Sequence, residues 1–501
     1  MVPRPSNAGS FLVFFISMDL TMPPAVPGNQ EQPSDAAKRL LPWLVAVAFF
    51  MESLDTTILN TAIPAISDAL HVGTLSMKAV LASYTLSLAV FIPISGWVAD
   101  RFGTRRVFAF AIGLFTLGSL LCGLSSNIHV LVACRVLQGC GGSMMVPVGR
   151  LTLVRTFAKS DLLRTMSFVS IPALVAPMLG PVAGGLIVGY LHWRFIFFLN
   201  IPIGLVGLVL VYLHLPDYRE ETHALDVVGL ILFGSGIGLL SYVLEVFGEH
   251  TLSSREISAM LVFSLSLLGG YWLHAKTLLY PLLQLYLFRI RTFRAAAAGG
   301  FFTRLGIGGV PFLLPLLYQV GLGFTPVQSG FLIMPQALAA MSMKAVMPRL
   351  LQRVGYRWVL VSNTVVIGLL LMVFATIGLG TPVWEIALLG FLFGAFTSLQ
   401  YTCMNTLVYA DTTDQETSAA STIASTMQQM SISFGVAVAG LATAFFVPAQ
   451  AESAPLEMIH GIHKALIAMG VLTIASTVVF RSLKDGDGDS VSHQRVLHEG
   501  D

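Results

Sequence analysis

Residues 41–66 read LPWLVAVAFFMESLDTTILNTAIPAI, and Glu52 and Asp55 are the only charged side chains among them. At 1.5 Å per residue a helix over this stretch is about 39 Å long, more than the roughly 30 Å of a bilayer's hydrocarbon core. An apolar run of that length reads as a membrane span, and similar runs recur along the chain. Between charged or turn-rich breaks they fall near 41–66, 79–99, 107–125, 128–149, 166–190, 193–215, 225–247, 257–274, 294–319, 327–347, 358–380, 383–409, 418–447 and 460–480. The 501 residues are 55% apolar and 11% charged, where soluble proteins carry roughly 25% charged residues. A water-soluble fold is excluded. The reading is an all-α polytopic membrane protein with fourteen transmembrane helices. Spans 225–247 and 257–274 are the least secure, because Glu245, Glu249, Arg255 and Glu256 lie between them; without both, twelve remain. The net charge of +2 is too small to suggest a nucleic-acid partner.

Basic loops stay in the cytoplasm. With the N-terminus inside, most Lys and Arg fall in inside loops, while Lys78, Arg194, Arg255 and Lys464 lie outside or at its edge and Arg135, Arg304 and Lys344 lie within spans. Both termini are expected in the cytoplasm, with the acidic loop 410–417 a local exception. An internal repeat supports an even count: Gly96-x-x-x-Asp100-Arg101-x-Gly103-x-Arg105 follows the second span, and Pro348-x-x-x-Gln352-Arg353-x-Gly355-x-Arg357 follows the tenth, at an offset of 252 residues. Two homologous six-helix halves, 38–215 and 276–481, flanking two linker helices in 216–275 would generate it; two unrelated basic turns are the alternative. Residues 1–37 read as a disordered cytoplasmic tail, with Met18 or Met22 as alternative starts, and 482–501 as a second tail. The apolar stretch Phe11–Met18 is too short to span and has no small-residue cleavage site after it. Cys122, Cys134, Cys140 and Cys403 all sit inside apolar segments and read as small buried hydrophobes.

An ionisable group inside a span is costly and points to function. Glu52 and Asp55 are three residues apart, on neighbouring positions of one helix face. Burial disfavours the charged carboxylate, so each can take up and release a proton near neutral pH; a structural carboxylate bonded to a neighbouring helix is the plain alternative. Arg135 lies roughly 10 Å down the fourth span and Asp55 about 16 Å down the first. These depths allow a pair that forms and breaks with protonation, or a permanent salt bridge. Arg304 and Glu385 read as structural or interfacial. The fifth span carries Pro172, Ala176, Pro177, Gly180, Pro181, Gly184, Gly185 and Gly189. Small residues every fourth position allow close helix approach, and the prolines bend the helix, as a rocking interface needs. Gln138, Gln400, Tyr401, Asn405, Gln428 and Gln429, polar within apolar spans, are candidates for lining a central cavity, with interhelical hydrogen bonding the alternative. No lysine follows a glycine and there is no His-Glu-x-x-His, so neither a phosphate loop nor that zinc motif is present.

From about Leu41 to Arg481 the chain resembles the major facilitator superfamily, in particular its fourteen-helix drug:proton antiporter branch. Leu54-Asp55-x-Thr57-Ile58-x-Asn60-x-Ala62-x-Pro64 is similar to that branch's first-helix signature, which does not include Glu52. Gly96 to Arg106 resembles the superfamily's loop motif. Arg135-x-x-Gln138-Gly139-x-Gly141-Gly142 resembles its fourth-helix motif, and Ala176-x-x-x-Gly180-Pro181-x-x-Gly184-Gly185 the antiporter motif, with Ala176 where glycine is usual. Trp193-Arg194-x-Ile196-Phe197-x-x-Asn200-x-Pro202 completes the set. The resemblance implies proton coupling through Asp55 and Arg135, with Glu52 as a further candidate. It also implies a cytoplasmic latch of Gly96, Asp100, Arg101, Gly103 and Arg105 with Arg353, Gly355 and Arg357, one-sided because Gln352 replaces the acid. The implied function is proton-driven efflux of small amphipathic or drug-like molecules across a bacterial cytoplasmic membrane. It needs no metal or cofactor and no nucleic acid; the partners are substrate, protons and the bilayer, and the carrier is a monomer. A dedicated exporter of an amino acid, siderophore or organic acid, or a non-transporting receptor on a carrier fold, are the rival expectations, and an enzyme is not expected.

Overall fold

A computed structural model describes residues 35–157, 159–220, 222–246, 253–413, 416–446 and 455–488, and these contain helices and turns with no strand. The helices are α1 (Asp35–Ile58), α2 (Lys78–Phe102), α3 (Thr104–Leu124), α4 (Ile128–Thr156), α5 (Lys159–Tyr190), α6 (Asn200–His214), α7 (Val227–Val246) and α8 (Ser254–Ala275). They continue with α9 (Arg291–Ile307), α10 (Pro326–Val354), α11 (Tyr356–Phe374), α12 (Val383–Leu407), α13 (Thr417–Phe446) and α14 (Pro455–Phe480). Each expected span lies over one of them.

Local sequence sets the helix ends. Asn127 caps α4 by accepting from the Val130 N–H, and Ser253 with Glu256 and Thr325 with Gln328 form capping boxes on α8 and α10. Two spans expected to be continuous are broken. The first passes from α1 through a tight turn at Asn60–Ala62 into a short helix, Ile63–Ala69, whose second residue is Pro64. The ninth breaks at Gly308–Gly309 and resumes as Val310–Leu316, with Pro311 at its second position.

Among the described residues, twelve helices are long and apolar enough to cross a membrane. Among the described residues of α5 the apolar stretch Val175–Tyr190 is shorter than a span; α10 carries Gln328, Gln336, Lys344 and Arg349. Both pack on other helices, α5 on α1 and α10 and α10 on α5 and α12, while Ile171 and Leu186 of α5 and Phe331 and Val346 of α10 stay exposed. Elsewhere large apolar side chains point outward, such as Val206 at 60% exposed on α6 and Val262 at 63% on α8. In a protein with so little polar surface these are lipid-facing positions.

α1–α6 form one bundle and α9–α14 another, meeting along α5 with α10 and α2 with α13, while α7 packs beside α2 and α13 and α8 packs on α7. The hydrogen bonds between bundles lie towards one end: Gln319 Nε2 donates to the Thr61 carbonyl at 2.9 Å and Ser433 Oγ to the Ala82 carbonyl at 3.0 Å. The opposite end carries the basic turns. There the chain after α14 is tied down through residue 488, not loose from 482: Asp487 accepts from Arg291 at 2.9 and 2.5 Å and Asp485 from Arg357 at 3.1 Å. The tail expected over 1–37 enters helix at Asp35, and the rest of it lies outside the described residues.

Candidate transport site

Five helices of the first bundle converge on Asp55, near the end of α1. Arg135 Nη1 on α4 donates to its Oδ2 at 2.6 Å. Gln138 Nε2, one turn along α4, and Asn200 Nδ2, which opens α6, donate to its Oδ1 at 2.8 and 3.0 Å. Ser119 Oγ of α3 lies within hydrogen-bond distance of both amides, at 2.6 and 3.1 Å. The Arg135 guanidinium stacks over the Tyr84 ring of α2, 4.2 Å from its centroid, a cation–π contact. Asp55 and Arg135 are each 1% exposed. Charges persist at such depth when paired and hydrogen-bonded, and this pair is both.

Glu52, one turn earlier on α1, has no such partners. Its Oε2 is buried with no hydrogen-bond partner among the described residues, and Arg150 on α4 is the cation that acts on it. The two carboxylates of the opening span thus occupy unlike surroundings, one satisfied and one not.

The glycines of α5 serve two neighbours. A Cβ at Gly180 would overlap the Thr57 hydroxyl, and at Gly184 the Ile58 carbonyl, both on α1. At Gly185 it would overlap the Pro326 carbonyl of α10, and Gly330 of α10 is as close to the carbonyl of Pro181. The Pro181 carbonyl also accepts from Thr61 Oγ1 at 3.1 Å. Backbone packs on backbone on both sides, so α5 links the helix that carries Asp55 to the second bundle.

In the loop motif, Asp100 accepts from Arg155 of its own bundle at 2.8 Å, and Arg155 also pairs with Glu220 at 2.8 Å. Gly103, at φ +98°, turns the chain beneath Asp217, which accepts from the Arg105 backbone N–H at 3.2 Å. Gly355, at φ +78°, is its counterpart in the repeat, and Arg357 pairs with Asp485. Among the described residues no ion pair joins this motif, with Gly96, Arg101 and Arg353, to the other bundle.

The polar cavity candidates divide. Gln138 belongs to the Asp55 cluster. Gln400 is fully buried between α11 and α12, accepting from Asn363 and donating to Thr364, each at 2.7 Å, so its amide is used in helix packing and faces no open space. Tyr401 and Asn405 on α12 both approach Arg304 of α9. Gln428 and Gln429 are half-buried on α13. Asn200, Ser119 and Tyr84 were not singled out from the sequence. Asn200 stands in the Trp193–Pro202 motif and so had a signal; Ser119 and Tyr84 had none.

A family model described as Major Facilitator Superfamily matches residues 45–436 and 296–494. The chain belongs to the major facilitator superfamily. It is 40% identical over 399 residues to a Serratia proteamaculans protein named "Putative multidrug resistance protein MdtD", covering 80% of this chain and 84% of that one. The protein of the same name from Escherichia coli K12 is 41% identical over 404 residues, 81% of this chain and 86% of its own. Among solved structures, an inward-facing, occupied bacterial homologue of the human lysosomal transporter Spinster gives a TM-score of 0.65 at 12% identity, over 89% of this chain and 97% of that one. A POT family transporter in complex with 5-aminolevulinic acid gives 0.64 at 14%, over 88% and 95%. At these identities the structures share the fold alone. Membership makes this chain a multi-pass membrane transporter and not an enzyme.

Proposed function

We propose that this major facilitator protein exports small amphipathic or drug-like molecules by alternating access, driven by protons entering down their gradient. The observation that carries the reading is the buried Asp55–Arg135 pair with its two amide donors. A proton on Asp55 cancels its charge, and Arg135 is then a buried cation without a counter-ion, a costly state that favours a rearranged packing. The same carboxylate can therefore couple proton uptake to a change in how α1, α4 and α6 meet. Glu52, with its unsatisfied oxygen, is placed to pass the proton between solvent and Asp55.

The α5 glycines would carry that change to α10. Hydrogen bonds join the bundles toward the end bearing Thr61 and Gln319; with basic loops in the cytoplasm this is the outer end, and the reading makes this an inward-facing state. In that state the Asp100–Arg155 pair stays within its own bundle, and it would exchange partners across the basic ends when the inner side closes. The reading includes fourteen spans, with α5 and α10 crossing beside the twelve apolar helices, both termini in the cytoplasm, a bacterial inner membrane and a monomeric carrier. The proton gradient stands where a cofactor would: one charge crossing 100 mV releases about 2.3 kcal/mol. The multidrug resistance names of the relatives support drug-like cargo.

The test is Asp55→Asn in proteoliposomes with ethidium as cargo under an imposed pH gradient. Uphill export should vanish while downhill movement persists. Normal uphill export by the variant removes Asp55 from coupling.

A further inference from the structure

The two bundles are not balanced in charge. In the first, the buried Arg135 is answered by Asp55. In the second, Arg304 of α9 is 5% exposed, and among the described residues no carboxylate lies within salt-bridge distance of it. Its Nη2 donates to a neutral acceptor, Asn405 Oδ1 on α12, at 2.8 Å, and its guanidinium carbon lies 4.9 Å from the Tyr401 ring centroid. Thr292 Oγ1 donates to Asp411 at 2.8 Å where these two helices meet at the basic end, and Arg304 is roughly 18 Å further along α9. That is well inside the hydrocarbon, where a lone cation is costly and marks a substrate path or needs a partner.

Two neighbours bear on access to the guanidinium. One turn before Arg304 stands Gly300, where a Cβ would come within 2.8 Å of Nη1. Asn405 is exposed although it touches a buried residue, so the site opens on the face between α9 and α12. A guanidinium carries five N–H donors in a planar fork that fits a carboxylate edge-on.

We infer that Arg304, with Asn405 and Tyr401, is a binding subsite for the carboxylate of an amphipathic organic acid carried by this transporter. The inference rests on the efflux reading for its setting and narrows the cargo to molecules with an anionic head. The bound carboxylate pairs with Arg304 by two N–H···O bonds, and the Tyr401 ring flanks the apolar body beside it. An internal carboxylate at position 405 would occupy the same donors, which makes Asn405→Asp the sharpest variant.

The experiment is calorimetric titration of the purified full-length protein in detergent with 2-naphthoate and its neutral isostere 2-naphthamide. Naphthoate should bind at least tenfold more tightly than naphthamide. Arg304→Gln and Asn405→Asp should each weaken naphthoate tenfold or more, with Arg304→Lys between. If Arg304→Gln fails to fold, Asn405→Asp still decides, because it supplies the counter-ion and should raise the unfolding temperature. Equal binding of acid and amide, no naphthoate binding by the wild type, or unchanged naphthoate affinity in Asn405→Asp overturns the inference. So does displacement of naphthoate by phosphatidylglycerol at equimolar concentration, which would make a lipid headgroup the occupant. Ethidium export by the wild type in proteoliposomes tests the efflux reading separately, since the titration needs no transport.

Discussion

Gly184 of α5 lies directly against the carbonyl oxygen of Ile58, the last residue of α1, with no space for a Cβ between them. The contact joins the helix that holds Asp55 to the helix that packs on the second bundle. Gly184→Ala must push the two backbones apart, since a carbonyl cannot swing aside as a side-chain end can. We expect Gly184→Ala to lower the unfolding temperature and cut the transport rate at least tenfold while cargo affinity changes less than threefold. Full transport by the variant would show that α1 and α5 need not keep this distance.

The two glycines of the repeat should respond differently to the same change. Gly103 and Gly355 both have positive φ, so alanine strains the backbone at either, by about 1–3 kcal/mol. At Gly103 the new methyl also meets the Asp217 carboxylate, whereas at Gly355 nothing lies within 4 Å. Gly103→Ala should therefore destabilise more than Gly355→Ala, and Asp217→Ala should narrow the gap. Thermal unfolding in one detergent of each glycine variant and its parent, with and without Asp217→Ala, checks the order.

The Asp55–Arg135 pair predicts a non-additive cycle. Removing either partner strands a buried charge, at a cost of about 3–5 kcal/mol. Replacing both by leucine strands neither, so the double variant should be more stable than Arg135→Leu alone. Additive losses across the four proteins would mean that the two groups are not paired where stability is set.

How much of this was legible beforehand depends on which property each residue's role rests on. The spans were visible because apolar length is a local property; their breaks at Asn60–Ala62 and Gly308–Gly309 were overlooked although Pro64 and Pro311 stand beside them. Similar depths in the bilayer made an Asp55–Arg135 pair possible, but their contact spans 80 positions and only packing could decide it. Gln400 looked like cavity lining because a polar residue in an apolar helix does not say which way it faces; Asn363 and Thr364 supply that answer from α11. Arg304 read as structural or interfacial, since what sets it apart is a missing acid, and absence of a neighbour cannot be seen along one chain.

The segment after α14 gives a pH prediction away from the membrane interior. Burial works to raise the Asp487 carboxyl, but hydrogen bonds from Arg291 and from the Lys484 backbone N–H outweigh it and hold it below the usual carboxylate range. A group depressed in the folded state stabilises fully above its unfolded value, near 3.9, and loses that contribution as pH falls through the lower folded value. The tether should thus be unchanged between pH 7 and 5 and weaken only below about pH 4. Hydrogen exchange over residues 482–488, corrected for intrinsic rates, should show steady protection down to pH 5 and its loss in stronger acid. Asp487→Asn cannot form the ion pair and should show low protection at every pH. Full protection in that variant at pH 7 would assign the tether to the turn's backbone instead of to Arg291.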